Sequence, residues 1–560
     1  MPKARSLFAP LLLLCFALTC TAEIPWLDSV DAGQAAAAKR DLPLYIAVSD
    51  PLNELDGAMH RQTFANAEVA AFLQANFVCV LVNRDAAPGL AAYGQQWLAA
   101  DQKIAGWPLN LWFTPELQPI EGASYLPPTE EWGREGFMVV AGRVAERWTA
   151  DAGAVRRGAE NTQRLIADYL PFAAEPVDDL ADALRLAAED WIAIAQPETG
   201  TFGDAPHRLE PELIRFLIAR GGETRAVALA ALRTRLTSAL RDPLDGGFYR
   251  ATADGAGGIP VFQKRLTDQA RIALACLDAA AVDDDPLFAA GARSALQYVI
   301  NRLSPSDGTF YIGDDATESS ATAGQTWSWT ELVDLVGEDF AAQLGAKPDG
   351  NVNADEDLEG LHAGRNILRA SPLALPARAT FESRSKLISA RAARAQTVVK
   401  TIATAGAHGL MLHAMQRAGD ELQDLDFGAY AIAIQATLKR DFGVGTEFFS
   451  RIARTEIAPT PEDYVLVALG MNDAALAARA DQLFFDDEFA LYYATADEVL
   501  GTRPVWWQPT SGDLPAPSVW RLLLDHAPAG LAAEVAAPFD NPDVPPPGAV
   551  LLALQHTLTE

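Results

Sequence analysis

Cysteine is scarce in this sequence, which has only four cysteines among 560 residues. Cys15 and Cys20 lie near the start, whereas Cys79 and Cys276 lie far apart, each within an apolar run. A disulfide framework requires several paired cysteines and is excluded, so Cys79 and Cys276 are predicted to be buried small apolar residues. The seven histidines are scattered, without the cysteine and histidine spacing of a metal site. We therefore expect neither a metal nor a cofactor.

Basic residues are few relative to acidic ones. The sequence has 44 lysines and arginines and 74 aspartates and glutamates, which gives a formal net charge of −30. Nucleic acids and anionic membrane surfaces attract clusters of Lys and Arg, so neither is expected as a partner. Apolar residues make up 49% of the chain, which is enough for large cores. Because 560 residues exceed the size of a single core, we expect two or more domains.

A long apolar run occurs only near the start, from Leu7 to Leu18. It follows two basic residues, is too short to span a bilayer, and precedes small residues before Glu23, which is typical of a secretory signal. We therefore predict a signal peptide over residues 1–22, no transmembrane segment after its cleavage, and a periplasmic or extracellular protein. A membrane anchor and a lipoprotein acylated at Cys20 are the alternatives, the second less favoured because residues 17–19 fit the lipidation box poorly.

Strand and helix signals alternate in the first part of the mature chain. Short apolar runs at 43–48, 77–82 and 110–113 predict buried strands, and 68–75 predicts a helix. Strands that alternate with helices are typical of a parallel α/β core. From about residue 145, long Ala- and Leu-rich segments with helical spacing take over, which indicates a second, all-α domain.

A short loop recurs between the helical segments. Its copies are Gly200-Thr201-Phe202, Gly246-Gly247-Phe248, Gly308-Thr309-Phe310 and, more weakly, Asp487-Glu488-Phe489. Repeated helical hairpins joined by similar turns can stack into a solenoid or close into an α/α toroid, with these loops on one rim. The alternative is that Gly-Phe turns recur by chance.

Several motifs, in order along the chain, together identify a family resemblance. They include Arg84-Asp85-Ala86-Ala87-Pro88, the stretch 106–128, and the helical-part motifs at 200–206, 245–250 and 260–270. The sequence resembles the spermatogenesis-associated protein 20 / YyaL family (DUF255). The resemblance implies an α/β thioredoxin-like domain followed by an all-α (α/α)6 toroid of the six-hairpin glycosidase-like kind. The family's own reaction is poorly defined, so the resemblance implies a fold more firmly than an activity.

The shift from mixed to helical composition sets the predicted domain boundaries. They are a thioredoxin-like domain at 23–145, a linker helix region at 146–177 and a toroid domain at 178–560.

The thioredoxin-like part departs from the family at its redox site. Asn53 and Asp56 stand where the two cysteines of the family motif would be. Thiol exchange needs a thiolate nucleophile and a resolving thiol, so no thiol–disulfide oxidoreductase activity is expected. Asp56 is instead predicted to cap a helix. Pro108 aligns with the cis-proline beside the active site of thioredoxin folds, and we expect it to be kept for turn geometry.

The toroid part departs as well, because Val261 and Gln263 replace a His and a Glu of the family motif that are candidates for proton transfer. Lys264 and Asp268 remain, four residues apart. They are interpreted either as an i,i+4 ion pair on a helix or as a substrate-binding lysine and a catalytic carboxylate.

Other site candidates combine carboxylates, an arginine and tryptophans. Asp245 and Glu318 are further candidate catalytic carboxylates, with a solvated Asp-rich turn as the alternative for the segment around Glu318. Aromatic faces pack against sugars, and core packing is the alternative. The candidate substrate-binding residues are Arg250, Lys264, Trp327, Trp329, Trp506 and Trp507.

Two functions are consistent with these observations. The first is an exported, redox-inactive protein with a degenerate active site, whose toroid cleft binds a carbohydrate or a cell-envelope partner. The alternative is a sugar-active enzyme, a hydrolase or an epimerase or isomerase, that uses carboxylates in the cleft and acts in carbohydrate metabolism. The sequence leaves open whether the protein is an enzyme.

Overall fold

The computed structural model describes residues 23–558 except 105, 132, 170–178, 204–205, 254–257, 306–307, 316–322, 354–356, 358–359, 361, 370–376, 446–448, 487–490 and 506–547. The predicted signal peptide lies outside the described residues. Among the helices of the described residues, none is long and apolar enough to cross a membrane.

The N-terminal domain is built on a four-stranded sheet. Its strands are β1 (Leu44–Ser49), β2 (Val78–Asn83), β3 (Leu109–Phe113) and β4 (Pro119–Ala123). In the order β2-β1-β3-β4, β1 is parallel to β2, whereas β3 is antiparallel to both β1 and β4. The prediction of a parallel core is therefore confirmed for β1 and β2 and was wrong for β3 and β4. The segment 114–118 is too short for a crossover connection, so β3 and β4 form a hairpin.

Helices cover both faces of this sheet. They are α1 (Val30–Arg40), α2 (Glu54–Ala58), which continues into a π-helical turn (Met59–Phe64), α3 (Ala67–Asn76), α4 (Pro88–Ala100) and α5 (Phe137–Asp168). Side chains of β1 alternate between two cores: Tyr45 packs in the core under α3 and α5, and Ile46 in the core under α1 and α4. Strands buried on both faces have continuous apolar sequences, which is why the sequence reveals them.

Helix α5 extends beyond residue 145 into the predicted linker region. Its backbone is not helical at Asp151, where the helix bends. Side chains on both sides of the bend, from Phe137 to Ile166, are buried against the N-terminal domain.

The helical domain consists of hairpins, each with an inner and an outer helix. In chain order the helices are α6 (Leu180–Ala193), α7 (Pro211–Arg220), α8 (Gly222–Leu236), α9 (Leu266–Ala280), α10 (Pro286–Tyr298), α11 (Trp329–Val336), α12 (Glu338–Gln343), α13 (Ala377–Ala392), α14 (Ala405–Glu421), α15 (Leu425–Asp441), α16 (Pro461–Met471), α17 (Ala474–Phe484) and α18 (Gly548–Leu558). A π-helical turn (Val299–Leu303) follows α10.

The inner helices pack side by side in the order α18, α7, α9, α14 and α16. Outer helices α6, α8, α10, α15 and α17 pack against them in the same order. α9 and α14 are buried around most of their circumference, as expected for helices enclosed by neighbours on all sides. This arrangement of inner and outer helices is that of an α/α toroid, the fold predicted from the resemblance, and the described residues supply five inner–outer pairs of it.

Short strands connect the hairpins. They are β5 (Ala195–Gln196), β6 (Thr201–Phe202), β7 (His207–Arg208), β8 (Ala251–Thr252), β9 (Gln263–Arg265), β10 (Gly313–Asp315), β11 (Val398–Lys400), β12 (Phe485–Asp486) and β13 (Leu491–Tyr492). β10 lies between β9 and β11 in an antiparallel sheet. Residues 304–403 form an insertion between two hairpins, and α11, α12 and α13 lie within it.

Three copies of the predicted loop repeat occupy equivalent places. Gly200, Gly246 and Gly308 have positive φ angles of 68°, 78° and 84°, a conformation that favours glycine. An added Cβ would lie 2.6 Å from Ala231 O on α8, 3.2 Å from Ser294 O on α10 and 2.8 Å from Ala433 O on α15, respectively. Each loop therefore packs on the outer helix of the next hairpin, which confirms the repeat for these copies. The weak copy at 487–489 lies outside the described residues.

The inner helices hold two of these loops in the same way. The backbone N–H of Phe248 donates to Gln269 Oε1 at 2.9 Å, and that of Phe310 donates to His408 Nε2 at 2.9 Å. Gln269 and His408 are both the fourth residue of their helices. These two loops are therefore equivalent in structure as well as in sequence.

Candidate functional site

The inner helices begin at one rim of the toroid, and this rim faces the N-terminal domain. The first turns of α9, α14 and α16 line one cavity, and the start of α7 lines a second cavity beside it. A helix N-terminus carries partial positive charge and favours acidic side chains. Acidic residues do occupy these first turns: Glu212, Asp268, Glu462 and Asp463.

The larger cavity, called the rim cavity below, has a volume of about 90 Å³ and lies between the two domains. The N-terminal domain contributes Asp50, Leu52, Arg84 and Asp85. The helical domain contributes Arg265, Thr267, Asp268, Arg271, Ile312, Thr404, Gly406, Ala407, Arg451, Glu462, Asp463 and Leu466. The wall is therefore complete only when both domains are in contact.

Arg451 joins the two domains at this cavity. Its Nη2 donates to Asp85 Oδ1 at 2.8 Å and its Nε to the Asp85 backbone oxygen at 3.2 Å. Its Nη1 donates to Asp463 Oδ2 at 2.6 Å on α16. The pKa of Arg451 is raised, because the attraction of Asp463 and Asp85 outweighs the opposing effect of burial. One buried cation thus holds carboxylates from both domains.

A second contact between the domains involves the loop that follows β1. Arg265 Nη2 donates to the Leu52 backbone oxygen at 2.8 Å. Arg84 Nη1 donates to Asp50 Oδ2 at 3.0 Å, and its guanidinium lies 4.7 Å from the centre of the Trp107 ring. The Arg84-Asp85 motif that marks the family resemblance therefore belongs to the cavity wall.

Asp268 lies where the two cavities meet, since it lines both. Its side chain is 20% exposed, and its Oδ1 lies 3.9 Å from Arg271 Nη1. Arg271 forms two 2.5 Å hydrogen bonds to Glu212. The guanidinium is therefore held by Glu212, and the Asp268 carboxylate faces the cavities.

Glu462 presents a different carboxyl group to the rim cavity. The residue is 6% exposed, and its Oε1 has no hydrogen-bond partner among the described residues. Burial raises the pKa of Glu462 to about 8, and the nearby Arg451 only partly opposes this shift. At pH 7 the group is therefore mainly a neutral acid that can donate a hydrogen bond or a proton.

The smaller cavity, called the side cavity below, has a volume of about 20 Å³ and shares Asp268 and Arg271 with the rim cavity. The predicted binding residue Arg250 lines it, and its Nη1 donates to Gln263 Oε1 at 3.4 Å. Glu210 also lines it, with a pKa raised by burial. Of the predicted site residues, the structure thus brings Asp268 and Arg250 together.

Lys264 lies elsewhere, in a buried ion network. It belongs to β9, and its Nζ donates to Asp242 Oδ2 and to the Gly246 backbone oxygen, both at 2.8 Å. Burial alone would raise the pKa of Asp242, but Arg391 and Lys264 hold it below its usual range. The predicted i,i+4 pair of Lys264 with Asp268 was wrong, because α9 begins only at Leu266 and the two residues share no helical face.

Asp245 belongs to the same network and not to the cavity wall. Its Oδ2 lies 2.6 Å from Arg391 Nη2, and its side chain is 44% exposed. The network connects the loop before β8 to α13, so its role here is to fix the insertion on the toroid.

The tryptophans of the insertion pack in an apolar cluster. Trp327 is fully buried there with Leu244 and Leu332, and Trp329 packs against the same cluster. The Arg394 guanidinium lies 3.6 Å from the centre of the Trp327 ring. Neither tryptophan lines the rim cavity or the side cavity. The other candidates Glu318, Trp506 and Trp507 lie outside the described residues.

The degenerate redox positions lie at the start of α2. Asn53 is the N-cap and accepts from the Leu55 N–H at 3.0 Å, whereas Asp56 lies within the helix and accepts from Ser49 Oγ at 2.5 Å. The prediction that Asp56 caps the helix was therefore wrong, because the helix begins before it. The Trp107–Pro108 peptide bond is cis, as predicted from the alignment.

Cys79 and Cys276 are free and buried in different domains, as predicted. Burial raises the pKa of each thiol to about 12, so neither carries the thiolate that exchange chemistry requires. Among the described residues, no group of three or more His, Cys, Asp or Glu side chains is arranged to hold a metal ion.

The sequence did not identify Glu462, Arg451 or Arg271 as site residues. A Thr-Pro-Glu-Asp stretch at 460–463 has the spacing of a helix capping box, and this capping box is present. That signal locates the start of α16. It does not reveal that Glu462 is buried against another domain.

Comparisons with known proteins found the following similarities. A family model described as a protein of unknown function, DUF255, matches residues 16–167. Spermatogenesis-associated protein 20 of Mus musculus is 26% identical over 560 residues, which cover 86% of this chain and 69% of that protein. The protein of the same name from Homo sapiens is 28% identical over 383 residues, covering 61% of this chain and 48% of that protein. A solved D-mannose isomerase is 11% identical with a TM-score of 0.35, covering 63% of this chain and 81% of that chain.

Proposed function

We propose that this chain, which belongs to the spermatogenesis-associated protein 20 / YyaL family (DUF255), binds a small polyhydroxylated ligand such as a monosaccharide in the rim cavity. The observation that carries this proposal is the composition of the cavity wall. Donors and acceptors from both domains converge there, around the first turns of three inner helices.

The charges of this wall balance. It contains four guanidinium groups and four carboxylates, with Glu462 as an additional neutral acid: Arg84, Arg265, Arg271 and Arg451 against Asp50, Asp85, Asp268 and Asp463. A sugar hydroxyl both donates and accepts hydrogen bonds, so alternating guanidinium and carboxyl groups suit a neutral, hydroxyl-rich ligand. Leu52, Ile312 and Leu466 supply apolar contacts for its C–H groups.

The size of the cavity favours a small ligand. A volume of about 90 Å³ holds several water molecules, since each needs roughly 10–15 Å³ on this measure. A single sugar ring that displaces these waters fits this scale, and a long chain does not.

In this proposal the thioredoxin-like domain is redox-inactive and acts as one wall of the binding site. Asn53 and Asp56 replace the thiols, and the loop between β1 and α2 contacts Arg265. The proposal extends to location: residues 1–22 direct export, so the ligand is a carbohydrate met outside the cytoplasm or a component of the cell envelope. Mass spectrometry of the mature protein should find an N-terminus near Glu23, and an intact Met1 in a soluble cytoplasmic fraction would contradict export.

Titration calorimetry of the mature protein against a panel of monosaccharides tests the binding proposal. Asp268→Asn keeps the shape of the side chain and removes a charged acceptor, worth about 1.5–3 kcal/mol per hydrogen bond, so affinity should fall roughly 10- to 100-fold. Glu223→Gln changes an exposed carboxylate on α8 and should leave affinity unchanged. If no monosaccharide binds, or if Asp268→Asn binds as tightly as the wild type, the proposal fails.

A second candidate, a sugar-active enzyme, is favoured by one observation. The cavity holds two carboxyl groups in different environments, with Glu462 buried and mainly protonated and Asp268 partly exposed beside Arg271. Carboxyl groups whose environments differ in this way are typical of acid–base sites.

A further inference from the structure

Glu462 and Asp463 are neighbours on the first turn of α16, but their surroundings differ. Asp463 accepts hydrogen bonds from the Thr460 N–H at 2.9 Å, from the Gly406 N–H at 2.9 Å and from Arg451 at 2.6 Å. Its carboxylate is fully engaged in holding helix ends and the domain contact. Asp463 is therefore a structural carboxylate.

Glu462 has the opposite character. Only 6% of the residue is exposed, and its Oε1 has no hydrogen-bond partner among the described residues. A buried polar atom without a hydrogen-bond partner destabilises the folded state, because its bonds to water are lost and not replaced. Because the side chain lines the rim cavity, a molecule bound in that cavity can recover this cost.

Asp268 provides the complementary group from α9. Its Oδ1 lies 3.9 Å from Arg271 Nη1, and Arg271 remains bonded to Glu212. Its partial exposure to the rim cavity makes it available as an acceptor. The cavity is therefore lined by a proton donor on α16 and a proton acceptor on α9, two inner helices that both pack against α14.

We propose that Glu462 and Asp268 form an acid–base pair that opens and closes the ring of a cyclic aldose held in the rim cavity. This inference rests on the proposed function, because it requires a bound sugar. General acid and general base groups acting in this manner each contribute typically 10²- to 10⁴-fold.

The chemical step needs no further reactant. Glu462 transfers its proton to the ring oxygen while Asp268 takes the proton of the anomeric hydroxyl. The bond between the anomeric carbon and the ring oxygen breaks, and the electron pair of the anomeric O–H bond forms the carbonyl. Ring closure returns both protons, and closure on the other carbonyl face gives the other anomer. The net reaction is mutarotation, in which nothing is oxidised or reduced.

The test uses the full mature protein and the monosaccharide that binds it most tightly in calorimetry. Exchange between the two anomers is measured by two-dimensional NMR exchange spectroscopy with and without protein. Wild-type protein should accelerate exchange at least 100-fold over the buffer rate. The methyl glycoside of the same sugar, which cannot open its ring, should bind, show no exchange and inhibit the reaction.

Two variants separate catalysis from binding. Glu462→Gln keeps the volume and neutrality of the side chain but cannot donate its proton to the ring oxygen as an acid, so the rate should fall at least 100-fold while affinity changes less than threefold. Asp268→Asn should lose both rate and affinity. Glu223→Gln, on the exposed face of α8, is the control and should match the wild type.

The possible outcomes are distinguishable. Binding without accelerated exchange overturns the acid–base pair but leaves the binding proposal intact. Accelerated exchange that survives Glu462→Gln overturns the role of Glu462. Absence of binding by every monosaccharide overturns both the proposed function and this inference.

Discussion

Replacing Arg451 with methionine should destabilise the contact between the two domains more than any single surface change. Methionine fills much of the same volume but removes the cation. The Arg451 side chain is 10% exposed, and its partners Asp85 and Asp463 are 12% and 1% exposed. The substitution therefore leaves carboxylates from both domains buried without their counter-charge.

The magnitude follows from that burial. Removing one partner of a buried ion pair costs about 3–5 kcal/mol, because the remaining charge stays buried. Two carboxylates lose their partner here, although Asp463 keeps its hydrogen bonds to Thr460 and Gly406. We therefore expect a loss of about 3–5 kcal/mol, expressed first as separation of the domains because Arg451 is bonded to both.

Guanidinium chloride unfolding followed by tryptophan fluorescence, together with limited proteolysis, measures this effect. Arg454→Met is the matched control, since Arg454 is 67% exposed and its partner Asp441, 3.1 Å away and 5% exposed, keeps its ion pair with Arg440. An ion pair of an exposed arginine is worth at most about 1 kcal/mol. A double-mutant cycle with Asp85→Asn isolates the contact between domains. If Arg451→Met destabilises the protein no more than Arg454→Met, the reasoning from burial is refuted.

Further predictions concern the thiols, the repeated loops and one buried acid. Cys79 and Cys276, with pKa values raised to about 12, should resist alkylation at pH 8 until the chain unfolds, and the protein should not reduce insulin; rapid labelling of the folded protein would contradict this. Gly247→Ala should destabilise the protein by about 2 kcal/mol or more, because φ is 71° and an added Cβ would meet the Tyr298 ring on α10. The control Gly158→Ala, in open space on α5, should be neutral or stabilising by up to about 1 kcal/mol. Equal melting temperatures of the two variants would contradict this reasoning. Burial raises the pKa of Asp56 to about 7, so the folded state favours its protonated form, and this contribution to stability is full below about pH 4 and is lost as pH rises through 7. Asp56→Asn should therefore gain stability relative to wild type between pH 4 and pH 7 in thermal melts, and a constant difference across that range would refute the assignment.

Local patterns predicted the elements well. The apolar runs at 43–48 and 77–82 became β1 and β2, shifted by one residue, because strands buried on both faces must be continuously apolar. The Gly-Phe loops were recognisable because positive φ angles and close helix contact leave glycine as the residue that fits.

The site depends on contacts that local patterns do not encode. Asp268 was identified as a candidate from its motif, but its neighbours Glu462 and Arg451 lie far along the chain and meet it only in the folded toroid. Lys264 had the spacing of a helical partner for Asp268, yet it lies on a strand and bonds Asp242. Burial of a charged residue is a property of the tertiary structure, so no window of sequence reveals it.

The forward packing of the repeated loops has a consequence for synthesis on the ribosome. Each loop rests on a helix that appears later in the chain: Gly200 on α8, Gly246 on α10 and Gly308 on α15. A loop of the nascent chain therefore cannot pack until the next hairpin has emerged from the ribosome. The chain is synthesised at only about 5–20 residues per second. For Gly308 the wait includes the whole insertion at 304–403, and the longer loop also costs more entropy to close. The loop that follows α10 is thus the repeated loop that waits longest for its partner helix during translation. A chaperone would have most time to bind the chain there.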